Sequence, residues 1–316
     1  MNSKILVLGG SGFIGSNIIE NLVKKKNYKI TATYLKRKPI IKAKNLNYIK
    51  INLIKKKELN KIKFKYDFIF MCAGKIFNIR NKSGIKKVKE NLTIYKNVIS
   101  FLPQTTKRFI WFNSCTGYPI KKSNLVENDF FKNSFDRLTV PAKQSRILEK
   151  KIFRVSKNYN INVLTIRTPE VYGKYDNYNE NNSRDVPIII NSYLNNLKKK
   201  HYLDLAFKKG YIFASDLAFF AIKLAFKTNL KFSAYNVCDD RSYDLKKFLS
   251  ILKLNIKSES SKIYEKNFKN LKFQRFYSNK KTKKLLGIKK IGNIRKNLKI
   301  TLKWLKSKKN SKLIKL

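Results

Sequence analysis

The chain of 316 residues is predicted to fold as an α/β protein, a doubly wound parallel sheet carrying a smaller, discontinuous C-terminal lobe. Three observations predict this. Short apolar runs rich in β-formers alternate with polar segments of helical length, a cluster of glycines follows the first such run, and the alternation weakens past Gly173. Residues 4–8 form the first strand, the glycines a tight turn, and residues 16–23 carry apolar side chains at helical spacing. A second strand covers residues 29–34, with further apolar runs at 48–53, 68–72, 109–112 and 163–166. The Asn-rich stretch 176–184 reads as a loop into the second lobe, and from about Leu245 the chain reads as helical and basic. Residues 1–172, rejoined by about 210–240, are assigned to the first domain, and 173–209 with 241–316 to the second. No internal repeat or low-complexity linker interrupts this order.

Composition excludes several function classes. At 43% hydrophobic and 13% aromatic, the chain has enough apolar surface for a large core, which argues against intrinsic disorder. Cys72, Cys115 and Cys238 are an odd, widely spaced set without a C-x-x-C, so neither a disulfide scaffold nor a zinc ribbon can be built. A single histidine, His201, rules out a histidine-based metal site by count and is expected at the solvated surface. No secretory leader is legible, and the apolar stretch 217–226 contains Lys223 and is shorter than a bilayer span. No transmembrane segment and a cytoplasmic location are therefore expected. The charge is extreme, with 72 Lys+Arg against 19 Asp+Glu and a net +53. Lysines nevertheless recur in small groups from end to end beside abundant Asn, Ile, Phe and Tyr, whose codons are poor in G and C. Biased coding explains the charge, and no specific nucleic-acid partner is expected.

The glycine turn reads Gly9-Gly10-Ser11-Gly12-Phe13-Ile14-Gly15 and satisfies both G-x-x-G-x-x-G and G-x-G-x-x-G. Missing Cβ atoms let backbone approach a pyrophosphate, while the following helix offers unpaired N–H groups and a partial positive charge. Between a strand and a helix, this segment predicts a Rossmann-type dinucleotide site. Cofactor choice is read at the end of the second strand, where a carboxylate would accept from ribose hydroxyls. None is there; Lys36, Arg37 and Lys38 suit a 2′-phosphate instead. NADP is favoured, with NAD as the alternative.

Taken together, these residues resemble the extended short-chain dehydrogenase/reductases, the NAD(P)-dependent sugar-nucleotide epimerases, dehydratases and reductases. Residues 67–74, ending in Ala73-Gly74, are similar to the family strand whose end passes under the cofactor, and Asn91 falls where a family helix carries an Asn. Ser114-Cys115-Thr116-Gly117-Tyr118-Pro119 matches the S-x-x-x-Y-[G/P] segment that supplies the catalytic serine, with Glu127 downstream. Arg167-Thr168-Pro169-Glu170-Val171-Tyr172-Gly173 resembles the R-P-x-N-x-Y-G strand end, and Asp176-Asn177 is closest to GDP-fucose synthase relatives. The resemblance implies a nucleotide-sugar substrate, a homodimer, Ser114 as the catalytic serine, and Thr116, Glu170 and Asn177 near the substrate.

In that family a Tyr-x-x-x-Lys pair on one helix face handles the proton while hydride moves to or from nicotinamide. This sequence lacks the pair. Between Tyr118 and Tyr159 there is no tyrosine. In the matching stretch, alignment on Pro141 and Ser145 puts Ala142 and Arg146 at the two positions, whereas alignment on Glu149 puts Pro141 and Ser145 there. The first register makes Arg146 a stand-in for the lysine. A Tyr118/Lys122 pair has the right spacing, but Tyr118 is followed by Pro119, which biases it away from helix. Ser114, Cys115, Lys143 and Glu170 are conceivable substitute acids. Two readings stay open: an enzyme with an atypical active site, or a catalytically silenced NADP-binding structural or regulatory protein.

Overall fold

The computed structural model describes residues 3–62, 65–75, 82–102, 106–119, 124–132, 139–178, 184–194, 200–253, 263–265 and 275–307. Strand β1 (Ser3–Leu8) leads through the glycine turn into α1 (Phe13–Leu22). The chain continues through β2 (Tyr28–Tyr34), β3 (Leu46–Lys50), β4 (Tyr66–Met71), α2 (Lys82–Phe101), β5 (Thr106–Ser114) and the short β6 (Asn124–Leu125). Next come α3 (Val140–Tyr159), β7 (Asn162–Thr168), β8 (Glu170–Tyr172), α4 (Asp185–Tyr193), β9 (His201–Leu203), β10 (Tyr211–Phe213) and α5 (Ala214–Lys227). The remaining elements are β11 (Phe232–Asn236), α6 (Leu245–Leu252), β12 (Ile263–Glu265), β13 (Phe276–Tyr277), α7 (Lys280–Leu286) and α8 (Ile294–Lys306).

Seven strands form one parallel sheet in the order β11-β7-β5-β4-β1-β2-β3. Ile5, Leu6, Val7 and Leu8 are wholly buried because helices cover both faces of their strand, which is why that segment is apolar without alternation. On one face Ile18 and Ile19 of α1 pack with Leu217 and Leu224 of α5. On the other, Val98 and Leu102 at the end of α2 pack with Leu148 and Ile152 of α3. A third core gathers Ile189 of α4, Phe248 of α6 and Leu298 and Leu305 of α8 around Tyr172 and Tyr211. Within α5, Phe220 is buried while Phe219 and Phe226 turn outward. His201 lies half-buried in β9, paired along β12, and not on the solvated surface.

The strand order reverses between β1 and β4, since β2 and β3 lie to one side and β5, β7 and β11 to the other. Helices leaving neighbouring strands toward opposite faces open a crevice at their C-terminal ends, where open α/β sheets bind ligands. Among the described residues no helix is long and apolar enough to cross a membrane.

Candidate active site

The glycine turn sits at that crevice and is stitched to the neighbouring strand. Gly9 N donates to Thr33 Oγ1 at 2.9 Å and Gly10 N to Thr33 O at 2.7 Å. Gly9 has φ +78°, and a Cβ there would come within 2.7 Å of Ala73 Cα. A Cβ on Gly15 would lie 2.2 Å from Gly9 O, so helix and turn touch backbone to backbone. Gly12 caps α1 without any side-chain acceptor, which leaves the first N–H groups of the helix for a ligand. The cradle therefore fits the diphosphate of a dinucleotide.

Two cavities extend from this turn. One, of about 210 Å³, is lined by Gly9, Ser11, Thr33, Lys36, Arg37 and Ile54, among others. The other, of about 590 Å³, runs from Gly12, Phe13 and Ile14 to Ser114, Thr116, Pro141, Gln144, Ser145 and Arg184. They share Gly12, Cys72, Ala73, Gly74 and Lys75, so they form one continuous cleft over the ends of β1 and β4. Asn91 fixes its floor, accepting from Lys75 N at 2.8 Å and donating to Lys75 O at 2.9 Å.

At the smaller end no carboxylate lines the wall among the described residues, and Arg37 is half-buried with one nitrogen 2.9 Å from Tyr175 O. Burial there pulls the Arg37 pKa down, opposed by nearby Asp176. Lys38 does not belong to this wall. Arg37 turns inward to the Tyr175 carbonyl, its successor faces solvent, and the second lining cation is Lys36.

At the larger end Ser114 is exposed to the cleft, its backbone N donating to Asn113 Oδ1 at 2.9 Å and its Oγ accepting from Thr116 N at 3.1 Å. The α3 register is decided beneath it. Glu149 is fully buried and ion-paired with Arg167 of β7, while Asn113 Nδ2 donates to Glu149 Oε2 at 2.6 Å. With Glu149 fixed inward, Pro141 and Ser145 both line the cleft four residues apart, as do Gln144 and Leu148. Ser145 Oγ lies 2.6 Å from Asn113 Oδ1 and 3.1 Å from Ser114 O.

The expectation for Arg146 is thereby corrected. One residue further along a helix is a rotation of about 100°, and Arg146 turns away from the cleft to donate to Gly117 O and Lys132 O at 2.7 Å each. Glu170 is also outside the cleft wall, ion-paired with Lys209 at 2.5 Å, a lysine that Asp185 also holds. Asn177 is exposed beyond the wall, its N donating to Asp176 Oδ1 at 2.7 Å. Thr116 does line the cleft, with its Oγ1 buried and without a hydrogen-bond partner. Of the four conceivable substitute acids only Ser114 reaches it. Cys115 is buried with its thiol pKa pushed up by desolvation, and Lys143 and Glu170 do not line the wall. Tyr118 is wholly buried, its hydroxyl 2.5 Å from Asn236 Oδ1, and its pKa is raised by burial; its spacing partner Lys122 lies outside the described residues.

Two charged cleft residues carry no site signal in the sequence reading. Lys75 follows the predicted Ala73-Gly74, so the extension of that strand end was its only signal. Arg184 enters from the second lobe, and in a chain with 72 basic residues nothing local distinguishes it.

The model of the NAD dependent epimerase/dehydratase family matches residues 5–238. The chain belongs to this family. The matched span begins in β1 and ends just past β11, so it takes in the whole central sheet except the first residues of β1. A curated relative outside this chain, GDP-L-colitose synthase of Yersinia pseudotuberculosis, is 22% identical over 229 residues, 69% of this chain and 70% of that protein. Among solved structures, an epimerase from Methanothermobacter thermautotrophicus superposes with a TM-score of 0.79 at 16% identity, covering 99% of this chain and 94% of that one. UDP-glucuronic acid 4-epimerase from Bacillus cereus, solved in complex with NAD, gives a TM-score of 0.76 at 17% identity, over 96% of this chain and 98% of its own. These likenesses extend the family fold through the second lobe.

Proposed function

We propose that the chain is an NADP(H)-dependent sugar-nucleotide epimerase, dehydratase or reductase with an atypical active site. The observation that carries this is the single cleft joining the glycine cradle to Ser114. The backbone of Gly9, Gly10, Ser11, Gly12, Phe13, Ile14 and Gly15 would hold the diphosphate, and Ala73 and Gly74 would let the cofactor pass over the end of β4. Lys36 and Arg37, with no carboxylate opposite them, favour a 2′-phosphate. Bound nicotinamide supplies or accepts hydride. Ser114, presented by Asn113 and Ser145, orients the reacting sugar oxygen, and Thr116 contributes a hydroxyl to the same wall. The names of the curated relative and of the superposed epimerases support a nucleotide sugar as substrate. Calorimetry with NADP(H) and NAD(H), followed by turnover of a nucleotide-sugar panel by the full chain and by Ser114→Ala, tests the reading. Tighter NADP(H) binding and turnover that the variant loses are expected; turnover indifferent to the variant removes Ser114 from the chemistry.

The second reading, a silenced cofactor-binding protein, is favoured by one specific observation: Pro141 and Ser145 place neither a phenol nor an ammonium in the cleft. Loss of general acid–base catalysis costs about 10²–10⁴-fold in rate. Tight cofactor binding without turnover of any panel member would select it.

The homodimer is supported by exposed apolar side chains on α2 and α3, namely Ile85, Leu92, Ile147 and Phe153. Light scattering on the full chain and on Phe153→Lys tests it, a monomeric wild type being the contrary result. The division at 172 and 210–240 is likewise our assignment, supported by the core that α4, α6 and α8 share, which Tyr172, Tyr211 and Phe213 join from the first domain's side.

A further inference from the structure

The larger cavity carries an electrostatic asymmetry. Among its described lining residues there is no carboxylate, and the cations among them are Lys75 and Arg184. Lys75 stands at the junction with the smaller cavity, its Nζ 2.6 Å from Glu90. Arg184 differs in origin and in setting. It is the N-cap residue of α4, in the second lobe, and reaches the wall that also carries Ser114. Its guanidinium is aimed by two fixed acceptors, Val171 O at 3.0 Å and the Asp176 carboxylate in an ion pair. Asp176 is itself buried, and Arg184 retains 19% side-chain exposure. The guanidinium carbon lies 5.4 Å from the centre of the Phe13 ring, at the start of α1, so the cation bridges the two lobes over the cleft. With Pro141 and Ser145 contributing no charge, a positioned guanidinium is the group in this wall suited to an oxygen anion.

We propose that Arg184 is the oxyanion-binding group of the reaction cleft, contacting a negatively charged oxygen on the sugar of a nucleotide sugar. The inference rests on the functional reading above. Two sources share this chemistry: a carboxylate resident on an acidic sugar, or an alkoxide that develops ahead of hydride transfer. In the second case a sugar hydroxyl gives its proton to solvent water, which leaves as hydronium and takes the part of the family phenol, and the alkoxide oxygen so formed lies beside Arg184. Its carbon would then pass hydride to the oxidised nicotinamide as the oxygen lone pair closes the C=O bond.

The test uses the full chain saturated with NADP(H). Matched probes are UDP-glucuronic acid against UDP-glucose and GDP-mannuronic acid against GDP-mannose, titrated by calorimetry into wild type, Arg184→Gln and Arg184→Lys. A resident anion predicts at least a tenfold preference for the acidic member, lost in Arg184→Gln and partly kept in Arg184→Lys. A developing anion predicts no such preference, but a kcat at least 100-fold lower in Arg184→Gln at unchanged KM, partly restored by free guanidinium ion. Circular dichroism of each variant separates these effects from loss of fold. If wild type binds nucleotide sugars and Arg184→Gln, still folded, alters neither acid preference nor kcat, the assignment of Arg184 is overturned while the functional reading stands. If the cofactor-loaded wild type binds no nucleotide sugar, the functional reading falls and this inference with it.

Discussion

Replacing Asp239 with Asn should stabilise the protein at alkaline pH and remove most of one pH-dependent loss of stability. Asp239 follows β11 and is 4% exposed, and neither carboxylate oxygen has a hydrogen-bond partner among the described residues. Its carboxyl presses against Gly292, where an added Cβ would lie 2.4 Å from Asp239 Cγ. Burial, reinforced by Asp216 and Asp240, pushes its pKa up to about 8 from the ordinary 3.8. The folded chain therefore keeps this proton where the unfolded chain has released it. Stability is whole below pH 4, falls as pH rises through the interval between the two values, and stays reduced above about pH 8. At about 1.36 kcal/mol per pH unit the interval caps the loss near about 6 kcal/mol, and relaxation with water entry around the charge reduces it to several kcal/mol. The assay is urea unfolding at pH 5, 6.5, 8 and 9 for wild type and Asp239→Asn. All other titrating groups are common to both proteins, so the difference between the two curves isolates this side chain. The variant should gain on wild type steadily from pH 5 to pH 8 and hold the gain at pH 9. A difference that does not change with pH would refute the reasoning.

Other predictions concern the cleft and its foundation. Glu149→Gln leaves the buried Arg167 guanidinium without its counter-charge, and urea unfolding should register a loss of about 3–5 kcal/mol; a loss under about 1 kcal/mol would mean that the pair does not anchor α3. Gly15→Ala forces a methyl to within 2.2 Å of Gly9 O, so calorimetry should show cofactor affinity lowered at least about tenfold where the turn must hold a diphosphate; unchanged affinity counts against the cradle. Pro141→Tyr combined with Ser145→Lys should raise turnover by about 10²–10⁴-fold, whereas Ala142→Tyr, one residue around the helix, should not; the reverse outcome would reject the α3 register.

How much of this was legible depended on how local the cause was. The strands 4–8 and 163–166 could be read because runs of apolar residues buried on both faces leave a continuous signal, and 29–34 because β-formers follow one another there, although Lys29 is exposed and Thr31 and Tyr34 are half-buried; all three lie within observed strands. Gly9 and Gly15 could be read because the spacing of residues without Cβ atoms is itself the constraint, and the contacts at Ala73 and Gly9 O show why. Arg146 misled because two alignments of the same stretch differ by one residue, and sequence has no means of saying which side of α3 faces Ser114. Glu170 misled for a related reason: its neighbours resemble a substrate-contacting strand end, but Lys209, 39 positions away, draws the carboxylate elsewhere. Arg184 was invisible because its distinction lies in Val171 O, Asp176 and Phe13.

The sequence alone determined the alternating architecture, the diphosphate-shaped turn and the absence of any tyrosine from residue 119 to residue 158. These follow from steric rules and burial patterns that act within a few residues of chain. Tertiary structure alone decided that Pro141 and Ser145 face the cleft, that Arg146 leaves it, and that a second-lobe arginine enters it. Those outcomes depend on where a buried charge finds its partner: the Glu149–Arg167 pair must exclude water to hold, and which face of α3 it turns inward is fixed only once β5, β7 and α3 have packed together.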